Sequence, residues 1–276
     1  MQRRFAQLDV FADVPTRGNP LAVVVDAEGL TDDEMMRFAS WTNLSETTFL
    51  LPPTDERADY RVRIFTVSGE LPFAGHPTIG SCRAWLDHGG QPARDDIVVQ
   101  ECGVGLVTLR RDGDRLAFAA PPLIRAGSVD ADTVPAIEQA LGCEVVDAAW
   151  ADNGPGWVAV EIADAGTLLA LRPDFGATPD LKLGLVARAP AGADHDVEVR
   201  AFFPGPGGHA EDPVTGSLNA SVAMWLMDRE PSLRSYRARQ GTVLGRDGRV
   251  DIYRDADGTI WVGGDTVTVI AGRVQL

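Results

Sequence analysis

The feature that most constrains the fold is a pair of segments with the same design, A-G-H-P-T-I-G-S at 74–81 and A-E-D-P-V-T-G-S at 210–217. Each follows a stretch typical of a strand and opens an apolar helix pattern, since proline favours the first helical position. The same offset of 136 residues (210 minus 74) aligns Gly18 with Gly154, each before a proline and an apolar strand. The matches predict a duplicated α/β unit, and the alternative is two unrelated helix starts that share a proline.

The composition indicates a globular protein without a nucleic-acid partner. Of the 276 residues, 45% are hydrophobic and 24% are charged, the balance of a folded chain long enough for two domains. The net charge of −15 repels phosphate backbones. The first residues lack a signal-peptide pattern, and no window approaches the roughly 18 apolar residues that a membrane helix needs. We therefore predict a cytoplasmic protein with no membrane partner.

Cysteines and histidines show no spacing typical of a metal site. Cys82, Cys102 and Cys143 are scattered along the chain, and the four histidines do not cluster. The thiols are therefore predicted to be reduced, and we expect no bound metal.

Residues typical of helix starts and helix ends predict three helices. Thr31 and Glu34 form a capping box before a helix that runs to about Thr42. A second helix is predicted from Pro77 to the Gly89-Gly90 pair, and a third from Pro213 to Met227 after a Gly/Pro-rich loop at 204–208. Strands are predicted at 4–12, 21–25, 47–51, 60–64, 97–100, 106–110, 115–119, 157–162 and 198–203. The Ala120-Pro121-Pro122 segment breaks this pattern and is the candidate domain boundary.

The two repeated helix starts are the candidate functional groups. A duplicated pair of domains commonly binds its ligand in the shared cleft, where two helix N-termini would favour a small carboxylate. His76 would be held neutral at such a start, and Asp212 before Pro213 is also a good helix N-cap. Capping alone is the alternative role for both residues.

The chain resembles the phenazine-biosynthesis PhzF-like family. The resemblance lies in D-V-F-A-D-V-P-T-R-G-N-P-L-A-V-V at 9–24, N-L-S-E-T-T-F at 43–49, R-I-F-T-V-S-G-E-L-P-F-A-G-H-P-T at 63–78 and E-D-P-V-T-G-S at 211–217. It implies the diaminopimelate-epimerase-like α/β fold, in which two pseudosymmetric domains each wrap a curved mixed sheet around a central helix. In that fold the C-terminal segment crosses back to the first domain. We therefore expect a first domain of residues 1–119 together with about 265–276, a second domain of residues 120–264, and the active site in the cleft between them.

The same resemblance implies an isomerase that needs no cofactor and assembles as a homodimer. The family member that names the group moves a proton from carbon 3 to carbon 1 of trans-2,3-dihydro-3-hydroxyanthranilate. By motif match the general acid/base is Glu46, and His76 and Asp212 complete the catalytic set. The predicted substrate contacts are Ser45, Gly75, Gly216 and Ser217.

The chemistry of Glu46 fits that role, because burial brings the pKa of a carboxyl group closer to neutral pH, where it can both take and return a proton. The alternatives are a catalytically silent binding protein with the same fold and a cysteine racemase. The racemases of the wider fold carry a cysteine at each helix start, whereas this chain has Ala74-Gly75-His76 and Glu211-Asp212 there. A two-thiol mechanism is therefore disfavoured.

Overall fold

The chain forms two compact units. The computed structural model describes residues 1–205 and 207–276; the first unit comprises Met1–Ala119 with Gly263–Leu276, and the second comprises Ala120–Val262. Pro206, within the predicted 204–208 loop, lies outside the described residues. No helix in the described part of the chain is long and apolar enough to span a membrane.

The first unit alternates strands with two helices. Its elements are β1 (Gln2–Val10), β2 (Asn19–Val24), α1 (Asp32–Thr42), β3 (Thr47–Leu51), β4 (Tyr60–Phe65), β5 (Glu70–Leu71), α2 (Gly75–Asp87), β6 (Ile97–Cys102), β7 (Gly105–Asp112), β8 (Arg115–Ala119) and β18 (Thr266–Gln275). The capping box predicted for α1 is confirmed, since the Glu34 amide donates to the Thr31 hydroxyl and Glu34 accepts from the Thr31 amide.

The second unit repeats this order and adds a strand and a helix in front. Its elements are β9 (Arg125–Ser128), α3 (Thr133–Leu141), β10 (Asp147–Asp152), β11 (Trp157–Glu161), α4 (Ala165–Ala170), β12 (Lys182–Arg188), β13 (Val197–Gly205), β14 (Gly208–Asp212), α5 (Gly216–Arg229), β15 (Ser235–Gln240), β16 (Gly248–Arg254) and β17 (Ile260–Gly264), whose last two residues belong to the first unit. Short 3-10 turns lie at Phe175–Ala177 and Thr242–Leu244.

Strand pairing shows that the two units share one topology. In the first, β1·β2 is antiparallel, β2·β3 parallel, β3·β4 and β4·β5 antiparallel, β4·β6 parallel and β6·β7 antiparallel. The series β10, β11, β12, β13, β14, β15 and β16 pairs in the same pattern. The prediction of two pseudosymmetric mixed sheets is thereby confirmed.

Each sheet packs around one buried helix. Ile79 and Cys82 of α2 and Leu218 and Val222 of α5 are fully buried, and both helices contact several strands of their own unit. The contact is close enough to require a glycine in β12, because a Cβ on Gly184 would lie 2.1 Å from a methyl carbon of Leu218. These helices are therefore the central helices of the predicted fold.

The other face of each sheet carries its own apolar cluster. In the first unit, α1 packs Met35 and Phe38 against Phe49 of β3 and Phe65 of β4. In the second, α3 and α4 cover the sheet with apolar side chains. Because strands such as β2 and β3 are covered on both faces, they carry runs of apolar residues instead of strict alternation.

The predicted start of the third helix and the offset of the repeat are wrong. Helix α5 begins at Gly216, Pro213 lies in the preceding bend, and Thr215 instead of Asp212 is the N-cap residue. Pro77 is the third residue of α2, which begins at Gly75. Proline suits a bend as well as the first helical turn, so the two prolines match in sequence without being equivalent in structure.

The structural repeat runs at an offset of 141 residues around the central helices, from Gly75 to Gly216 (216 minus 75). The strand before each helix keeps this offset, since Glu70 and Glu211 each pair with a phenylalanine across a hairpin, whereas the partners Phe65 and Phe202 are 137 residues apart (202 minus 65) because the second hairpin is longer. The residue equivalent to His76 is therefore Ser217, and Asp212 is equivalent to Leu71.

Candidate active site

The start of α2 places two of the predicted residues. Gly75 is the first helical residue and His76 the second, and both are buried. The N-cap residue Ala74 has no side-chain group that could accept from the first-turn amides, and in the described residues no side chain caps this helix. Its partial positive charge therefore favours a negative group nearby.

Glu46 lies beside this helix start, directly before β3. Its Oε2 is 3.4 Å from Nε2 of His76, and only 15% of the Glu46 side chain and 5% of the His76 side chain are exposed. On the other side of the ring, Nδ1 of His76 lies 3.5 Å from Nδ2 of Asn19. The imidazole is thus held between an amide and a carboxylate. Ser45, the preceding residue, is exposed.

The His76 ring is neutral. Burial lowers the pKa of His76 to about 3, because the imidazolium would lose its hydration. A nearby carboxylate would oppose this shift, but the 3.4 Å contact is longer than the roughly 2.7–2.9 Å of a charge-assisted hydrogen bond. The cost of burial therefore outweighs the attraction, and the ring that faces Glu46 is neutral.

A tight turn positions Asn19. The Gly18 amide donates to Oδ2 of the buried Asp9 at 2.8 Å, which fixes the chain immediately before β2. A Cβ on Gly18 would lie 2.1 Å from the Val10 carbonyl oxygen, so the turn has no room for a side chain. The lack of room for a Cβ explains why a glycine precedes Asn19 and Pro20 at the start of β2.

Buried hydrogen bonds connect α2 to the surrounding strands. Ser81 donates to Thr48 at 2.9 Å, which ties the helix to the strand that follows Glu46. The Gln100 amide donates to Thr78 at 3.1 Å and its oxygen accepts from Tyr60 at 2.8 Å. Satisfied buried networks of this kind are rigid, so the orientation of the helix start is fixed from behind.

Asp212, at the end of β14, has a different environment. Thr215 donates to its carboxylate, and the Gln240 amide donates to the Asp212 carbonyl at 3.1 Å and to the Thr215 hydroxyl at 2.9 Å. The Gln240 oxygen accepts from the Thr215 amide at 3.0 Å and from the Asn219 side chain at 2.9 Å. Asp212 is therefore positioned by a buried network that includes both the N-cap residue and the helix.

Gly216 and Ser217 are the first two residues of α5. The Ser217 hydroxyl accepts from the indole N–H of Trp157 at 3.1 Å, and its carbonyl accepts from the Asn153 amide at 3.0 Å. Ser217 is partly exposed, whereas Trp157 is buried. The serine is thus held by groups from β11 and the turn before it.

Neither central helix carries a thiol at its start. The equivalent N-cap residues are Ala74 and Thr215. The sequence comparison used Glu211-Asp212 in place of Thr215, but the conclusion that neither helix start has a cysteine is unchanged. Cys82 is fully buried in α2, and burial raises the pKa of its thiol, so this group is not a nucleophile near neutral pH. Across residues 1–205 and 207–276, no group of three or more His, Cys, Asp or Glu side chains is arranged to hold a metal ion.

The sequence did not reveal four residues of these networks, which are Asn19, Trp157, Thr215 and Gln240. Asn19 stands in the G-N-P segment, which gives a turn signal but no link to His76, 57 positions later. Trp157 contacts Ser217 across 60 positions. Such pairs follow from the topology, and no local pattern identifies them.

A family model described as phenazine biosynthesis-like protein matches residues 8–272 of the chain. The chain is 33% identical over 297 residues to the trans-2,3-dihydro-3-hydroxyanthranilate isomerase of Pseudomonas aeruginosa, covering 99% of both chains. It is also 35% identical over 295 residues to antisense-enhancing sequence 1 of Schizosaccharomyces pombe, covering 99% of this chain and 98% of that one.

Solved structures share the architecture. A phenazine biosynthesis protein of the PhzF family from Enterococcus faecalis superposes with a TM-score of 0.83 at 25% identity, with 100% of both chains covered. A hydroxyproline epimerase from Agrobacterium vitis gives a TM-score of 0.59 at 14% identity, covering 99% of this chain and 92% of the other, and so supports the fold alone. The diaminopimelate-epimerase-like fold is thereby confirmed.

Proposed function

Since the chain belongs to the family of phenazine biosynthesis-like proteins and is an isomerase of that family, we propose that Glu46 is its general acid/base. The observation that carries the proposal is the 3.4 Å contact between this nearly buried carboxylate and the neutral ring of His76. The substrate is a small carboxylate with an acidic C–H bond, as the relative from Pseudomonas aeruginosa supports by its name.

The proposed reaction moves one proton and uses no cofactor. Glu46 takes a proton from a substrate carbon, so that a C–H bond breaks, an O–H bond forms and the electron pair enters the adjacent π system. The same carboxyl group then returns the proton to a second carbon of that system, which restores the carboxylate. His76 stays neutral throughout and offers a hydrogen bond, because its charged form is too costly at this buried position.

The second unit contributes to substrate binding in this proposal. Asp212 is positioned as an acceptor for a hydroxyl or amino group, and the first-turn amides of Gly216 and Ser217 suit a carboxylate. A double-mutant cycle tests whether both units act on one substrate. Glu46→Gln and Asp212→Asn are expected to be non-additive in kcat/KM, whereas additive losses would contradict a common site.

Solvent-deuterium incorporation tests the role of Glu46. Wild-type protein with trans-2,3-dihydro-3-hydroxyanthranilate in D₂O is expected to place deuterium on carbon, and Glu46→Gln is expected to slow this by about 10²–10⁴-fold. Glu56→Gln, an exposed control, is expected to keep the wild-type rate. Incorporation by Glu46→Gln at the wild-type rate would exclude Glu46. Binding of this compound without any incorporation would favour the silent binding protein.

A further inference from the structure

A contact between the second strand and the central helix is duplicated in the two units. Asn19 is the first residue of β2 and contacts His76, the second residue of α2. Trp157 is the first residue of β11 and donates to Ser217, the second residue of α5. The side chains differ, but in each unit the first residue of the second strand contacts the second residue of the central helix.

The contact with Asn19 defines which nitrogen of His76 carries the proton. The amide nitrogen of Asn19 can only donate, so Nδ1 of the neutral ring must be the acceptor. The single ring proton then lies on Nε2, the nitrogen that faces Oε2 of Glu46 at 3.4 Å. With the other tautomer, a lone pair would face the carboxylate and two N–H groups would face each other.

The contact with Trp157 has the same consequence for Ser217. An indole N–H is only a donor, so it occupies a lone pair of the serine hydroxyl at 3.1 Å. The hydroxyl hydrogen is then left to be donated to another acceptor. Trp157 is 4% exposed, so water does not compete strongly for its N–H.

We infer that Asn19 and Trp157 are positioning residues that make His76 and Ser217 hydrogen-bond donors. This inference rests on the proposed function. It specifies the substrate class further, because two fixed donors at the central helix starts select a molecule that presents acceptors, such as carboxylate or hydroxyl oxygens. The Nε2 proton of His76 also lies on the side of the ring that faces Glu46, at 3.4 Å, next to the group proposed to move the substrate proton.

The tautomer of His76 can be measured without substrate. Two-bond ¹H–¹⁵N correlation spectra near pH 8, above the ordinary imidazole pKa of about 6.5, distinguish a proton on Nδ1 from one on Nε2. The protein supplies both reference patterns, because Nδ1 of His88 lies 2.8 Å from a carbonyl oxygen and Nε2 of His209 lies 2.9 Å from another. A His76→Gln spectrum assigns the signal.

The wild-type His76 signal is expected to match the Nε2–H pattern of His209. In Asn19→Asp, a carboxylate of nearly the same shape replaces the amide that donates to Nδ1 of His76. Because a carboxylate can only accept, His76 is expected to carry a proton on Nδ1 in this variant. Any other wild-type pattern, or a variant that keeps the wild-type pattern, overturns the inference for Asn19. Because no turnover is measured, this result is independent of whether Glu46 is the general acid/base.

Kinetics test the consequence for the substrate, with trans-2,3-dihydro-3-hydroxyanthranilate as the probe. Asn19→Asp is expected to lower kcat by about 10–100-fold, the range typical of partners that orient a functional histidine. Trp157→Phe keeps the ring and removes the N–H, and we expect KM to rise about tenfold with little change in kcat. Trp150→Phe is the matched control, because in the described residues its buried N–H has no acceptor. Equal KM values for the two Trp→Phe variants overturn the inference for Trp157.

Discussion

The neutral state of His76 predicts how acid affects stability. Its pKa is about 3 in the folded protein, below the ordinary value of 6.5 that applies when the chain is unfolded. Between these values the unfolded state binds the extra proton, so the free energy of unfolding falls as the pH decreases from 6.5 towards 3. If His76 and Glu46 were instead an ion pair, the pKa of His76 would be raised and its contribution would have the opposite sign.

The size of the effect follows from the ordinary pKa. Protonation of His76 in the unfolded chain lowers the free energy of unfolding by about 2 kcal/mol at pH 5 relative to pH 7. This value corresponds to about 1.4 kcal/mol for each of the roughly 1.5 pH units between 6.5 and 5. The variant His76→Gln lacks this group. We therefore expect the loss of stability between pH 7 and pH 5 to be smaller in the variant by about 2 kcal/mol, whatever the other titrating groups contribute to both proteins.

Urea unfolding followed by tryptophan fluorescence at pH 7 and pH 5 measures this difference. His76→Asn removes the same ring by a second replacement, and it is expected to show the same smaller loss as His76→Gln. An equal loss in wild type and His76→Gln would refute the neutral ring. A larger loss in His76→Gln would show that His76 is charged beside Glu46.

Three further results are expected. In urea unfolding, Arg200→Met should lower the free energy of unfolding by about 3–5 kcal/mol, because it leaves the Glu211 carboxylate without its two 2.8 Å contacts. The control Arg57→Ala removes an exposed ion pair and should lower it by less than about 1 kcal/mol. Gly184→Ala should lower stability by about 1–3 kcal/mol in the same assay, because the new Cβ overlaps Leu218; unchanged stability would show that the helix can shift freely. Light scattering should give twice the 29.5 kDa chain mass for the predicted homodimer, and a monomer mass would exclude it.

Local patterns predicted the elements whose end signals are unambiguous. The boundaries of β3 and β8 were predicted to the residue, and the α1 capping box was placed correctly. The strand β14 was missed because its sequence, G-H-A-E-D, is short and polar and follows a Gly/Pro-rich segment. Its pairing with β13 supplies the stability that its own residues do not.

The candidate site was only partly predictable for a related reason. Glu46, His76, Asp212 and Ser217 stand in motifs that a resemblance can identify, but their surroundings depend on contacts between distant positions. The repeat was detected through matching prolines, and the prolines gave an offset five residues too short (141 minus 136). The first residues of the two central helices, which only the structure shows, give the correct offset.

The position of β18 has a consequence for how the protein acquires its structure during synthesis. This strand pairs with β1 from Gln2↔Gln275 to Val10↔Thr266, so β1 must wait for a partner that is translated after the whole second unit. The second unit is continuous in the chain and can fold as soon as it has left the exit tunnel. We therefore expect β1 to reach its native pairing only after the second unit has been made, with one edge of β1 open to chaperones until β18 has been translated.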